Sequence, residues 1–156
     1  MVTAIVKGVE CAFPYDIAKE VLAATKDKHG LQQVKYRMLN CLLNIIYVLK
    51  VLLNAEPGEN LGYGGRKGEE EKFMASLSKS LEYCSALGTR KLHIMAGKKI
   101  EGVGEEEATQ IFLANLQRAI PLLEQAGVVG LIEPINPWSV PGYNMDSFTA
   151  GLHIVR

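Results

Sequence analysis

The sequence predicts an α/β fold in which parallel strands are joined by crossover helices. Short apolar runs alternate with longer amphipathic stretches, which is the pattern of repeated strand–helix units. The apolar runs around Leu52, Leu92 and Leu131 are spaced by about 40 residues, which suits one strand, loop and helix. The 156 residues hold about four βα units, so they form either a small open sheet or about half of a (β/α)8 barrel.

Four apolar runs are predicted as strands because each is short and is bounded by glycine, proline or charged residues. They span residues 8–15, 51–58, 91–97 and 128–136. The second run ends at Pro57 and Gly58, which interrupt regular structure. Because helices separate these runs, the strands are expected to be parallel.

The stretches between these runs are predicted as helices over residues 16–30, 68–88 and 104–127, with one more beginning in 144–156. Asp16 is the predicted N-cap of the first helix, and Gly30 its C-terminal stop. Pro121 is expected to kink or weaken the third helix. Two apolar stripes indicate the buried faces of the second and third helices: Phe73, Leu77, Leu81, Cys84 and Leu87, then Ile111, Phe112, Leu116, Ile120 and Leu123.

Residues 35–50 do not fit this alternation. The segment is shorter than the ~20 apolar residues of a membrane span, and Asn40, Asn44 and Lys50 interrupt it. Without it, residues 29–34 join the strand at 51–58 as a short connection. The segment is therefore either an additional buried strand or helix, or an insertion that has no role in the fold. The remaining residues are predicted to form one incomplete barrel domain within 1–156.

Composition excludes several functional classes. Seventeen basic residues balance seventeen acidic ones, so no overall field attracts nucleic acid or an anionic membrane. Three widely spaced cysteines without a C-x-x-C pair predict reduced thiols and a cytoplasmic setting. The N-terminal residues do not resemble a signal peptide. Nothing in the sequence indicates the oligomeric state.

The glycine-rich loop at residues 62–71 raises the question of phosphate binding. Its glycines give neither G-x-G-x-x-G nor the P-loop pattern. Arg66 and Lys67 are able to neutralise an anion, but a flexible surface loop is the stronger prediction.

Polar residues at the ends of the predicted strands are the candidate site, because parallel α/β folds bind ligands at the carboxyl ends of their strands. These residues are Glu10, Asn54, Glu56, His93, Glu133 and Asn136. We expect them to form a pocket for a small polar substrate.

Glu133 is the main catalytic candidate. A carboxylate in a partly dry pocket has a raised pKa and serves as a general base or a metal ligand. The structural alternative is a salt bridge to a lysine or arginine. His93 lies between Leu92 and Ile94, so a hydrogen-bonded core histidine is the alternative to a substrate ligand. Asn54 and Asn136 are the other substrate-binding candidates.

Four stretches, GVECAFPY, VLLNAEPG, KLHIMAG and VVGLIEPIN, resemble the hydroxypyruvate isomerase family, within the xylose isomerase-like TIM barrels. The H-x-MAG and EPIN elements are the most specific. The resemblance runs from about residue 4 to the end, except for 35–50. It implies a partial (β/α)8 TIM barrel of about four βα units with parallel strands.

The resemblance implies interconversion of hydroxypyruvate and tartronate semialdehyde, through an enediol, by two glutamates, of which Glu133 matches one. The substrate is therefore a small hydroxy-carbonyl compound. Wider relatives bind a divalent metal, such as Mg²⁺, at the equivalent carboxylate. A sugar epimerase or isomerase of the same superfamily is the alternative activity.

The sequence departs from the family in three respects. The first barrel strand and the second catalytic glutamate have no matching positions, and Glu56 replaces the small or proline-like residue expected before Pro57. We therefore expect a truncated form with little or no isomerase activity alone. A non-catalytic product that folds poorly or pairs with another chain is a further alternative.

Overall fold

Strands and helices alternate along the part of the chain that the computed structural model describes, residues 8–9, 14–30, 32–33 and 60–155. The elements are, in chain order, β1 (Gly8–Val9), a 3₁₀ turn (Pro14–Asp16), α1 (Lys19–Lys28), β2 (Gln32–Gln33), α2 (Glu70–Leu87), β3 (Lys91–His93), α3 (Glu105–Ala126), β4 (Val129–Leu131) and α4 (Phe148–Val155). β1 pairs in parallel with β2, and β3 pairs in parallel with β4. The predicted α/β class with parallel strands is confirmed.

The first helix begins later than predicted. Asp16 is not its N-cap, because Asp16 ends the 3₁₀ turn. Ala18 occupies the cap position, with φ −55° and ψ 135°, and provides no side-chain hydrogen bond. Gly30 follows the helix with φ +59°, a left-handed conformation that favours glycine, so the predicted stop is confirmed.

The ends of α2 and α3 agree with the sequence to within two residues. Gly88 and Gly127 end these helices in the left-handed conformation, with φ 70° and 61°. Both helices begin with acidic residues, whose charge complements the positive end of the helix dipole. The predicted ranges 68–88 and 104–127 therefore end at the glycines that end the helices.

The buried face of α3 differs from the predicted stripe. Ile120 is 49% exposed, and the buried positions are Ala108, Phe112, Asn115, Ala119 and Leu123. Alanine and asparagine carry too little hydrophobicity to mark a core face in a sequence pattern. Pro121 lies within α3, and the helix continues to Ala126, so the proline does not end it.

β3 and β4 are shorter than the strands predicted at 91–97 and 128–136. β3 ends at His93 because the next residues bond to the glycine-rich loop: Gly64 N–H donates to Met95 O at 3.1 Å, and Gly65 N–H to Ala96 O at 2.7 Å. β4 ends at Leu131. β2 was not predicted as a strand, because two glutamines give no apolar signal. Its pairing with β1 reveals it, and corrects the prediction that residues 29–34 are a simple connection.

The core lies between α2, α3 and β3. Its largest fully buried side chains include Phe73 and Leu77 from α2, Phe112 from α3, and Leu92 from β3. α2 packs on both α1 and α3. This packing fixes β3 and β4 side by side and so determines where their carboxyl ends lie.

Two predictions concern residues outside the described ranges. These are the strand at 51–58 and the insertion at 35–50, and both stay predictions. Within the described residues, no helix is both long enough and apolar enough to span a membrane. The cytoplasmic setting also stays a prediction.

Candidate functional site

The carboxyl ends of β3 and β4 bring His93 and Glu133 together. His93 lies opposite Leu131 in the parallel register, and Ile94 N–H donates to Leu131 O at 2.7 Å. His93 Nδ1 is then 3.8 Å from Glu133 Oε2. Two of the predicted site residues, far apart in sequence, are therefore neighbours at one end of the sheet.

The two side chains differ in their exposure to solvent. His93 is 0% exposed, whereas the Glu133 side chain is 50% exposed. The dry pocket expected around the carboxylate is therefore not formed by the described residues, since half of the side chain is open to water. A carboxylate in this position can reach a small molecule, while the imidazole beneath it is able to orient it.

Tyr143 is a site neighbour that sequence analysis missed. Its side chain is fully buried, and its hydroxyl accepts a hydrogen bond from Ala96 N–H at 2.9 Å. Burial raises the pKa of Tyr143 above the ordinary 10.0, and the negative charge of Glu133 raises it further. The phenol therefore stays neutral near neutral pH. Tyrosine in a loop between proline, glycine and asparagine carried no pattern that predicts burial.

The glycine-rich loop is a packed part of the structure beside this site. Gly62, Tyr63, Gly64 and Gly65 are all buried. A Cβ at Gly64 would lie 2.5 Å from Phe112 Cε2, and real Cβ atoms do not approach so closely. The prediction of a flexible surface loop is wrong for residues 62–65, because these glycines allow the loop backbone to contact the segment after β3. Lys67 and Gly68 are exposed, as predicted.

Two asparagines contact the backbone of the loop. Asn115 is 1% exposed, and its Nδ2 donates to Gly64 O at 2.8 Å. Asn144 Nδ2 lies 3.4 Å from Gly65 O. A polar residue within an otherwise apolar helix face, such as Asn115, was the sequence signal that could have indicated this contact.

The two basic residues of the loop have carboxylate partners within the chain. Arg66 pairs with Glu69 and donates to Lys98 O at 2.9 Å. Lys67 Nζ lies 2.6 Å from Glu107 Oε1. Their positive charges are thus compensated, and the geometry gives no support to a phosphate site here.

Asn136 has a structural contact. Its Oδ1 accepts a hydrogen bond from Ser139 N–H at 2.9 Å, which closes the turn after β4. Asn54, Glu10 and Glu56 lie outside the described residues. The structure therefore brings His93 next to Glu133, places Asn136 in an adjoining turn, and leaves the role of Asn54 a prediction.

The described residues do not form a metal site. Across the described ranges, no three His, Cys, Asp or Glu side chains lie close enough together to hold a metal ion. Glu133 and His93 alone fall short of the ligand set of Mg²⁺, which prefers octahedral oxygen coordination. No chemical step is therefore assigned to a metal.

Known proteins match this chain over most of its length. The family model described as xylose isomerase-like TIM barrel matches residues 5–156. The chain is 31% identical over 154 residues to the 2-oxo-tetronate isomerase of Cupriavidus necator, covering 96% of this chain and 53% of that protein. It is 27% identical over 158 residues to the hydroxypyruvate isomerase of Escherichia coli (strain K12), with coverage of 96% and 53%.

A solved structure supports the fold. The crystal structure described as AP endonuclease, family 2, from Brucella melitensis matches with a TM-score of 0.75 and 28% sequence identity. The match covers 96% of this chain and 54% of that chain. The chain thus spans about half the length of the curated relatives and the structure it matches, which agrees with the predicted partial barrel.

Proposed function

Because the chain belongs to the xylose isomerase-like TIM barrel family, we propose that it carries one acid/base group of an isomerase site for a small hydroxy-carbonyl substrate. That group is Glu133. The observation that supports this proposal is the position of its half-exposed carboxylate at the carboxyl end of β4, 3.8 Å from the buried His93. Carboxyl strand ends are where folds of this class hold their catalytic side chains.

The proposed reaction interconverts hydroxypyruvate and tartronate semialdehyde. The Glu133 carboxylate removes a proton from the hydroxymethyl carbon, the C=C bond of an enediol forms, and the carbonyl oxygen takes up a proton. The proton then returns to the former carbonyl carbon, while the other hydroxyl loses its proton and becomes the aldehyde. Atoms and electrons balance without an oxidant or reductant, so acid/base groups suffice.

His93 is proposed to act through Glu133. Because His93 is 0% exposed, its imidazole reaches the carboxylate rather than solvent. A base that is held in one orientation needs less reorganisation before it removes a proton. We therefore assign His93 as a positioning residue in place of the predicted substrate ligand.

A complete isomerase needs a second group to move the hydroxyl protons. These 156 residues span about half the length of the relatives, and the second glutamate implied by the family resemblance has no matching position among them. By themselves, these residues should remove the proton but show little or no net isomerisation.

Two substrates are candidates. The Escherichia coli relative is named for hydroxypyruvate, and the Cupriavidus necator relative for 2-oxo-tetronate. The two substrates differ in chain length, and both relatives are similarly distant from this chain. Deuterium exchange at the carbon next to the keto group can be measured for both compounds: the hydroxymethyl carbon of hydroxypyruvate and the hydroxymethine carbon of 2-oxo-tetronate. The relative exchange rates separate the two candidates.

Proton removal can be tested without the second group. Hydroxypyruvate is incubated with the chain in D₂O, and proton NMR follows the loss of its hydroxymethyl signal against buffer alone. We expect exchange above the buffer rate, and we expect Glu133→Gln to return it to that rate. Glu124→Gln changes an exposed glutamate on α3 and should leave exchange unchanged.

Two results would contradict the proposal in different ways. Exchange at the buffer rate with the parent chain would remove the assignment of Glu133 as a base. Net formation of tartronate semialdehyde that Glu133→Gln abolishes would instead show that this chain contains a complete site.

A further inference from the structure

Both candidate substrates carry a carboxylate next to the keto group, and the proposed base cannot bind it. Hydroxypyruvate and 2-oxo-tetronate are 2-oxo acids, so each brings a negative charge to a site whose base, Glu133, is itself a carboxylate. Like charges that share a site repel each other. Recognition of these substrates therefore requires a basic side chain, and the inference that follows rests on the proposed function.

Three basic residues at this end of the described sheet already neutralise carboxylates of the chain. Arg66 and Lys67, on the glycine-rich loop, each pair with a glutamate. Lys99, on the segment after β3, has its Nζ 2.5 Å from Glu105 Oε1 and 3.6 Å from Asp146 Oδ2. A substrate carboxylate would have to displace these partners in order to bind. The three side chains are therefore poor candidates for its recognition.

Lys98 is the fourth basic residue at this end of the sheet, and its charge is not used in the same way. Among the described residues, no carboxylate lies within ion-pair distance of Lys98 Nζ. The loop after β4, residues 132–147, contains neither lysine nor arginine. Lys98 is also partly buried, although a lysine without a partner usually extends into water.

The backbone of Lys98 is held by three contacts. Its N–H donates to Asn60 O at 2.8 Å, and its carbonyl oxygen accepts a hydrogen bond from Arg66 Nη1 at 2.9 Å. It also forms an isolated antiparallel bridge with Tyr143. The base of the lysine side chain therefore has a fixed position, which lowers the entropy that binding a ligand would cost.

The bridge places Lys98 on the same side as a neighbour of Glu133. Residues directly opposite each other in an antiparallel pair extend from one face, with Cβ atoms about 4.5–5.5 Å apart. The opposite residue is Tyr143, whose hydroxyl contacts Ala96 N–H. Burial raises the pKa of Tyr143, and the negative charge of Glu133 adds to the rise. Tyr143 therefore lies between the lysine and the carboxylate base.

We propose that Lys98 binds the carboxylate of the substrate and so makes the site selective for 2-oxo acids over uncharged ketones. An ammonium group donates charge-assisted hydrogen bonds to a carboxylate, and its four-carbon stem lets it follow a small ligand. This contact would neutralise the substrate charge while Glu133 removes the proton from the neighbouring carbon.

The test compares hydroxypyruvate with hydroxyacetone, which has a methyl group in place of the carboxylate. Loss of the hydroxymethyl proton signal in D₂O gives kcat/KM for exchange of each compound. Lys98→Gln should lower the ratio of hydroxypyruvate to hydroxyacetone about tenfold or more, mainly through the KM of hydroxypyruvate. Because both compounds are measured on one protein, a loss of folded chain lowers both rates and cancels in the ratio.

Two variants serve as controls. Lys99→Gln removes the same charge from the next residue, whose ammonium already pairs with Glu105, and should leave the ratio within about twofold of the parent value. Lys98→Arg keeps the positive charge and should retain most of the selectivity. A ratio that Lys98→Gln leaves unchanged, or that Lys99→Gln lowers equally, would overturn the proposal.

Binding measured by calorimetry separates this proposal from the proposed reaction. We expect Lys98→Gln to bind hydroxypyruvate about tenfold or more weakly than the parent chain. Exchange at the buffer rate with intact Lys98-dependent binding would refute the base and leave the carboxylate site standing. Equal binding by the two chains, or no binding by the parent, would overturn the role of Lys98.

Discussion

The hydroxyl of Tyr143 accepts a hydrogen bond from the backbone N–H of Ala96 at 2.9 Å. This bond joins the loop after β4 to the segment after β3, and both groups are buried. The same segment bonds to the glycine-rich loop through Gly64 and Gly65. The strand end that carries Glu133 is thus supported by a network of buried backbone contacts rather than by strand pairing alone.

Removal of the phenol oxygen should destabilise the fold. Tyr143→Phe leaves the buried Ala96 N–H without this acceptor, and we expect a loss of about 1–3 kcal/mol in the free energy of unfolding. Urea unfolding followed by circular dichroism measures it. Tyr83→Phe is the matched control, because Tyr83 donates to the carbonyl of Ile17 at 2.9 Å, and Ile17 is 47% exposed, so water can replace the donor. Equal losses in the two variants would contradict the argument.

The glycine at position 64 should not tolerate a methyl group. The Cβ of Gly64→Ala would lie 2.5 Å from Phe112 Cε2 and 2.7 Å from Met95 O. The backbone or the ring has to shift, at a cost of about 1–3 kcal/mol in unfolding free energy. Gly104→Ala makes the same change where nothing lies within 4 Å. Because Gly104 is the N-cap of α3, where alanine is less favourable than glycine, we expect a loss of up to about 1 kcal/mol. A Gly64→Ala chain as stable as the Gly104→Ala chain would show that the loop is not packed as described.

The buried thiol of Cys84 should lower the free energy of unfolding as the pH rises above 9. Burial raises the pKa of the Cys84 thiol from 9.0 to about 12. Because the folded pKa is the higher one, this contribution is fully present below pH 9 and is lost as the pH rises toward 12. We expect the stability advantage of the parent over Cys84→Ala to shrink above pH 9 by at most about 1.4 kcal/mol per pH unit. Urea unfolding of both proteins between neutral pH and pH 10.5 measures this, and a constant difference would contradict it.

Substitutions of His93 and Glu133 should change the free energy of unfolding by different amounts. His93 is fully buried, so His93→Ala leaves a cavity and should cost ~2 kcal/mol or more in unfolding free energy. Glu133→Gln keeps the size of a half-exposed side chain, and we expect a change within about 0.5 kcal/mol. Thermal and urea unfolding measure both. A strongly destabilised Glu133→Gln chain would indicate that the carboxylate holds the fold together rather than serving a substrate.

The sequence by itself determined the helices and strands whose ends are marked by residues within the element or next to it. The predicted helices ended at the glycines at positions 30, 88 and 127, because glycine adopts the left-handed conformation most easily. Short apolar runs between these helices predicted parallel strands, and the polar residues that follow the runs predicted which side chains lie at their carboxyl ends.

Only the tertiary structure decided which of those side chains meet. The 3.8 Å approach of His93 to Glu133 depends on the register of β3 and β4. The burial of Tyr143 and of the glycine-rich loop depends on contacts between segments remote in sequence. Backbone hydrogen bonds and close packing have no residue signature of their own, since any residue supplies an N–H or a C=O. The glycines at 62–65 predicted a flexible loop from the sequence. In the fold, the same glycines allow the backbone of residues 95–96 to lie against the loop, which is therefore buried.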